Sequence, residues 1–326
     1  DRVGRRPVLL GGVLLFTAAS FLLASTSFAP AFLAFRVAQA AGASAMLVAT
    51  FATVRDVYAD RPGGVTIYGL FGSMLAFVPA LGPIAGAIIA SRFGGRAIFV
   101  TLGLLGLAAM LNAWPKWHET RPSTLDQARP ALGPILRDPA FWTYSVAFSA
   151  AMGAFFVFFS TAPRVLIDRA GFSRLDFSLA FATAALVMIV AARFARRFVV
   201  RWGIVGSVAR GMAMLLLGAA LLIFGEAFAA PSFVTFVVPM WIVAVGIVLA
   251  SSVTANGALA AFGDTAGTAV ALYFCVQSLI VSSIGTLFVV MLDAETAWPL
   301  AGYCSLLAVV TLCALRLQAK RRSATA

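Results

Sequence analysis

The stretch A-F-L-A-F-R-V-A-Q-A-A-G-A-S-A-M-L-V-A-T-F-A-T-V, Ala31 to Val54, decides how the chain is to be read. A helix that crosses a bilayer needs about 20 apolar residues, and this run is long enough. It nevertheless carries Arg36 and Gln39. An arginine inside a spanning helix costs on the order of 3 kcal/mol on insertion scales and faces a cavity, a partner or a transport path. Two readings stand. Arg36, five residues inside the span, snorkels to the nearer interface, or the small residues Ala40, Ala41, Gly42, Ala43, Ser44 and Ala45 bury the helix in a bundle that holds the guanidinium inside.

Beyond this stretch the composition points the same way. Apolar residues are 62% of 326 and charged residues 11%, with a mean hydropathy of +0.99, which excludes a soluble domain. Ten hydrophobic runs read as spans: 8–28, 31–54, 66–90, 97–114, 140–162, 177–192, 203–224, 233–253, 266–292 and 297–315, the sixth being short. The net charge of +12 is spread over short loops and forms no basic face, so a nucleic-acid partner is not expected. With both ends on one side, that side holds seventeen Lys and Arg against five on the other, which makes both ends cytoplasmic. Cys275, Cys304 and Cys313 lie inside spans without metal-like spacing and read as packing residues; no metal and no cofactor is expected.

The opening D-R-V-G-R-R-P, Asp1 to Pro7, reads as a cytoplasmic turn feeding a helix, with Gly4 supplying the backbone freedom. The run from Trp114 to Pro139 is the one long polar connection, with four helices before it and six after; its His118, the sole histidine, reads as solvated. Arg193 to Gly203 reads as a basic loop between the sixth and seventh spans, either an echo of the opening loop or a plain positive-inside connection. All twelve carboxylates fall at helix ends or in loops, and Glu226, at the outer end of the seventh span, comes nearest to an intramembrane acid. No GxSxG, no HExxH and no mid-membrane acidic pair is present, so the chain does not read as an enzyme.

Three motifs carry a family resemblance. Asp1, Arg2, Gly4, Arg5 and Arg6 resemble the D-R-x-G-R-R loop that joins the second and third helices of the major facilitator superfamily. Arg36, Gln39 and Gly42 resemble the R-x-x-Q-G-x-G signature of its fourth helix, with Ala40 where glycine is usual. Gly82, Pro83 and Gly86, in A-L-G-P-I-A-G-A, resemble the G-P-x-x-G antiporter signature of its fifth helix; the same residues also read as a packing GxxxG with a proline kink. The resemblance implies an all-α integral membrane protein, a major facilitator superfamily helix bundle with ten of the usual twelve transmembrane helices, the first two being expected upstream of Asp1. Residues 1–114 would form an incomplete N-terminal half, 115–139 the central cytoplasmic loop and 140–326 the C-terminal half.

Five runs, 49–59, 73–83, 155–163, 253–260 and 273–278, resemble more closely the chloramphenicol and florfenicol exporters among bacterial drug:proton antiporters. That resemblance implies a monomer in the inner membrane that exports phenicols in exchange for protons by alternating access, with Arg36 in proton coupling and Asp1, Arg5 and Asp56 latching the inward-closed state. The acidic residue that the family carries on its first helix is absent from this sequence. A phenicol offers a flat aryl ring and a polar diol amide, so a pocket needs aromatic faces, soft apolar surface and a few hydrogen bonders. Gln39, Met46, Met152, Phe155, Phe159, Trp241, Tyr273 and Gln277 interrupt spans with that chemistry, each also readable as core or lipid-facing. An inactive fragment, or a carrier of other small amphipathic drugs, is the alternative.

Overall fold

The computed structural model describes residues 4–58, 82, 85–86, 88–120, 132–262 and 266–325. Asp1, Arg2 and Pro83, the side chain of Asp56 and most of the expected span 66–90 lie outside the described residues. The chain divides into two compact units, Asp1–Arg129 and Pro130–Ala326.

The first unit contains α1 (Arg5–Ser25), α2 (Ala29–Tyr58) and α3 (Arg96–Lys116). Helix α1 packs between the other two and runs antiparallel to both. Its approach to α2 is a backbone contact: a β-carbon added at Gly12 would lie 2.9 Å from the Gly42 carbonyl oxygen, and one at Gly42 would lie 2.6 Å from the Phe16 amide nitrogen. Glycine at both places is therefore a steric requirement, in the manner of small-residue seams between membrane helices. On the α3 side, Phe16, Thr17 and Phe21 fill the space that side chains at Gly106 and Gly103 would need.

The entry to α1 is fixed by a residue far along the chain. Gly4 has φ 94°, and Glu119, just beyond α3, accepts the Arg5 amide at 2.8 Å and the Arg6 amide at 3.1 Å. Those are donors left open by the first turn of any helix, and a carboxylate there also favours the helix dipole. The glycine is needed for its positive φ, and a β-carbon there would stand 2.6 Å from Glu119 Oε2 and push the capping carboxylate aside.

The second unit contains α4 (Leu132–Arg137), α5 (Pro139–Pro163), α6 (Arg174–Phe228), α7 (Val238–Leu259), α8 (Ala266–Ile280), α9 (Thr286–Met291) and α10 (Trp298–Thr325). Wide π turns at Arg164–Arg169, Phe233–Val237 and Val281–Gly285 extend α5, precede α7 and join α8 to α9. Starts are well marked: Asp138 accepts the Ala140 amide with Pro139 next to it, and Ser173 forms a reciprocal capping box with Asp176. Helix α5 is central, with Phe141, Ala147, Ala150, Ala154, Val157 and Phe158 fully enclosed. Its alanines and Gly153 leave room for α10, where Tyr303 donates to the Ser149 carbonyl at 2.8 Å.

Eight helical stretches among the described residues are long and apolar enough to cross a bilayer. The 55 residues of α6 are two helices that meet at a kink at Gly203 (φ 66°, ψ −177°), and each, at 1.5 Å per residue, runs to roughly 40 Å, enough for one pass. This corrects part of the reading of Arg193 to Gly203 as a loop: residues 193–202 are helical, and the break between the sixth and seventh spans falls at Gly203, the last residue of that stretch. Arg193, Arg196, Arg197 and Arg201 recur at helical spacing and are all exposed, so the apolar run ends while the helix continues up to the kink at Gly203.

Gly203 also reveals a repeat. Gly4 and Gly12, eight residues apart, correspond to Gly203 and Gly211: in each pair the first has positive φ and the second is closed on by a partner glycine. Gly211 meets Gly246 as Gly12 meets Gly42, a β-carbon at Gly246 falling 2.7 Å from the Gly211 carbonyl oxygen.

Two outcomes follow from these contacts. Gly42→Ala should lower the thermal midpoint of the detergent-solubilised protein, reflecting a cost of about 1–3 kcal/mol for separating two backbones, while Gly11→Ala, with nothing within 4 Å of the new carbon, should leave it unchanged or raised. Glu119→Ala should remove about 0.5–2 kcal/mol of capping, seen as faster amide hydrogen exchange at the start of α1, with Glu119→Gln falling between.

Candidate functional site

The residues of the Ala31 to Val54 stretch converge on one polar chain. Arg36 and Gln39 lie one helical turn apart on α2, and Arg36 Nη1 donates to Gln39 Oε1 at 2.7 Å. Gln39 is 4% exposed and its Nε2 donates across the helix seam to Ser20 Oγ at 2.8 Å. Ser20, wholly buried on α1, donates in turn to the Phe16 carbonyl at 2.7 Å. The seam makes this reach possible: Gly42, one turn beyond Gln39, lets the helices approach until a glutamine amide meets a serine hydroxyl. The Phe99 ring of α3 lies 5.9 Å from the guanidinium carbon and is itself met edge-on by Phe32. The Arg36 side chain is exposed on the first unit and folded back on Gln39, rather than enclosed by small residues.

Other residues of interest in the first unit fall as follows. Met46 is half-buried against Leu9, Val13 and Ala49, a packing position. Gly4, Arg5 and Arg6 form the capped entry to α1; Arg5 is buried, and Arg6 Nη2 also donates to the Trp114 carbonyl at 3.2 Å. Among the described residues nothing lies within 4 Å of a β-carbon placed at Gly82 or Gly86, in contrast to Gly12 and Gly42.

In the second unit the candidates spread over α5, α7 and α8. Phe155 and Phe159 both contact Phe181 of α6, with ring centroids 6.2 Å and 5.9 Å away, and Phe159 is 48% exposed. Met152 is half-buried beside the same core. Trp241 donates its indole hydrogen to Thr183 Oγ1 at 2.9 Å and meets Phe233 edge to face. Tyr273 is enclosed, stacked on Phe148 and donating to Thr254 Oγ1 at 2.8 Å, while Gln277, one turn on, is half-buried. An open cleft of about 420 Å³ lies among Phe172, Asp176, Leu179, Thr183 and Phe233. Trp241 stands behind it through both Thr183 and Phe233. Sequence reading did not mark Ser20, Phe99, Thr183 or Phe181, because a lone serine or aromatic in an apolar run carries no signal of what it meets.

Glu226, the nearest candidate for an intramembrane acid, is a tie. It pairs with Arg169 and accepts the Ala297 amide at 2.9 Å, joining the ends of three segments. Both its oxygens are engaged by protein donors, which is the interface role open to it from its position.

These features were set beside known proteins. The sequence profile described as Major Facilitator Superfamily matches residues 1–286. A chloramphenicol resistance protein of Pseudomonas aeruginosa is 48% identical over 326 residues, spanning 98% of this chain and 78% of that protein. The multidrug resistance protein MdtL of Salmonella typhimurium is 30% identical over 197 residues, 58% of this chain and 49% of MdtL. The fold resembles the crystal structure of the human organic anion transporter MFSD10 (TETRAN), with a TM-score of 0.60 at 20% identity, covering 96% of this chain and 77% of that one. The chain belongs to the Major Facilitator Superfamily, and is thus a multi-pass membrane transporter-family member rather than an enzyme.

Proposed function

We propose that this protein exports chloramphenicol-class antibiotics across a bacterial inner membrane in exchange for protons, alternating access between two transmembrane halves, residues 1–114 and 140–326, joined by a cytoplasmic connection at 115–139. The observation that carries this reading is the 48% identity over 98% of the chain to the chloramphenicol resistance protein of Pseudomonas aeruginosa. In this reading both ends are cytoplasmic, the protein works as a monomer, and florfenicol is a second substrate of the same aryl-amide shape.

The chemistry supports it at two places. Arg36 is the one charge on the 31–54 span, hydrogen-bonded to Gln39 and beside the Phe99 ring. A guanidinium there favours the ionised form of any carboxylate that approaches and opposes a second cation, which is what a proton-exchanging carrier needs on its path. The cleft backed by Trp241 has Phe172, Phe233, Thr183 and Asp176 in its lining, a mixture suited to an aryl ring with polar substituents. A broader range of small amphipathic drugs is the second reading, favoured by the 30% identity to MdtL.

Expression from the complete reading frame in an efflux-deficient bacterium should raise the inhibitory concentration of chloramphenicol several-fold and lower its accumulation, with a proton uncoupler abolishing both effects. Unchanged accumulation with the protein confirmed in the membrane would reject phenicol export, and a panel of unrelated amphipathic drugs run alongside separates the two readings. Arg36→Ala should abolish resistance while leaving the amount of membrane protein unchanged; Arg36→Lys, a point charge without the planar fork, should retain little of it.

A further inference from the structure

We infer that Ser20 is the positioning residue for Arg36, acting through the Gln39 amide. A carboxamide has two ends of nearly equal size and opposite polarity, so its partners decide which end points where. Ser20 settles the question by arithmetic of hydrogens. Its one hydroxyl hydrogen is committed to the Phe16 carbonyl, four residues back on α1, so it faces Gln39 with lone pairs only. It therefore takes the amide's N–H end at 2.8 Å, which leaves Oε1 turned toward Arg36 at 2.7 Å. The reverse amide would set N–H groups against the guanidinium and an oxygen against an oxygen whose hydrogen is already spent.

The second unit shows that packing does not require this hydroxyl. Counting from the paired glycines, Ser20 corresponds to Ala219, Gln39 to Val243 and Arg36 to Met240, and all three counterparts are enclosed. The same glycine-closed crossing is thus filled with apolar side chains in one unit and with a directed polar chain in the other. A serine at a place that an alanine fills equally well has another task, and among the described residues the side chain it bonds on α2 is Gln39.

This inference rests on the proposed role of Arg36 in export, and two separate measurements keep the two ideas apart. The first is the rate of phenylglyoxal modification of Arg36, followed by peptide mass spectrometry on the purified full chain. Ser20→Ala leaves a buried amide N–H without an acceptor and should raise that rate about tenfold. Ser20→Cys, of similar volume but a weak acceptor, should raise it too and takes the place of Ser20→Ala where the latter does not fold. Ser20→Thr, which keeps the hydroxyl and its bond to the preceding turn, should restore the parental rate. The second measurement is chloramphenicol export in vesicles, expected to fall about tenfold in Ser20→Ala and to recover in Ser20→Thr. Equal Arg36 reactivity in the parent, Ser20→Ala and Ser20→Cys would overturn the positioning role. A parent that exports nothing, with the reactivity series as expected, would overturn the export reading and leave Ser20 in its role.

Discussion

The approach of α1 to α2 at Gly12 and Gly42 is the constraint from which the rest of the first unit follows. Two backbones in contact leave no freedom for the helices to slide or rotate, since a carbonyl of one sits where a side chain of the other would start. With the crossing fixed, Ser20 and Gln39 are brought to hydrogen-bond distance, and Gln39 then sets where the Arg36 guanidinium lies. Apolar lipid gives helices no hydrophobic reason to associate, so dispersion at such a seam and a few directed polar bonds have to do so. Both are present here within one helix pair.

The second unit carries the same seam at Gly211 and Gly246 with a different filling. Met240, Val243 and Ala219 occupy it without a polar atom among their side chains, and the crossing is as close. Charge is carried at the ends of this unit. Glu226 ties Arg169 to the start of α10, and four exposed arginines line the stretch of α6 before Gly203. The contrast separates what both units share, glycine at the crossing and positive φ before it, from the polar chain that the first unit carries there.

Much of this was legible in the sequence. Hydrophobic length located the spans of the described helices to within a few residues at most ends, because a bilayer imposes that length on any helix. Arg36 and Gln39 stood out since charge and amide in an apolar run are costly. The failures have physical causes. The stretch 193–203 read as a loop because hydropathy registers where a helix leaves the apolar layer, which is not where its hydrogen bonds stop. Glu119 gave no sign of capping Arg5 and Arg6, more than a hundred residues earlier, since nothing local marks a long-range cap. Tyr273 and Trp241 were candidates on composition, yet an aromatic inside a span has the same appearance whether it is stacked in a core, as Tyr273 is on Phe148, or stands behind an open cleft as Trp241 does.

The glycine seams also bear on how such a gene can change over generations. Any missense change at Gly12, Gly42, Gly211 or Gly246 installs a β-carbon, because no other residue lacks one, and at each site that carbon falls within about 3 Å of a partner backbone atom. None of these codons has a mild neighbour. Lineages that keep the protein working are therefore held to four fixed letters, while the side chains lying between them, as Met240 and Arg36 illustrate, are left to diverge toward different tasks.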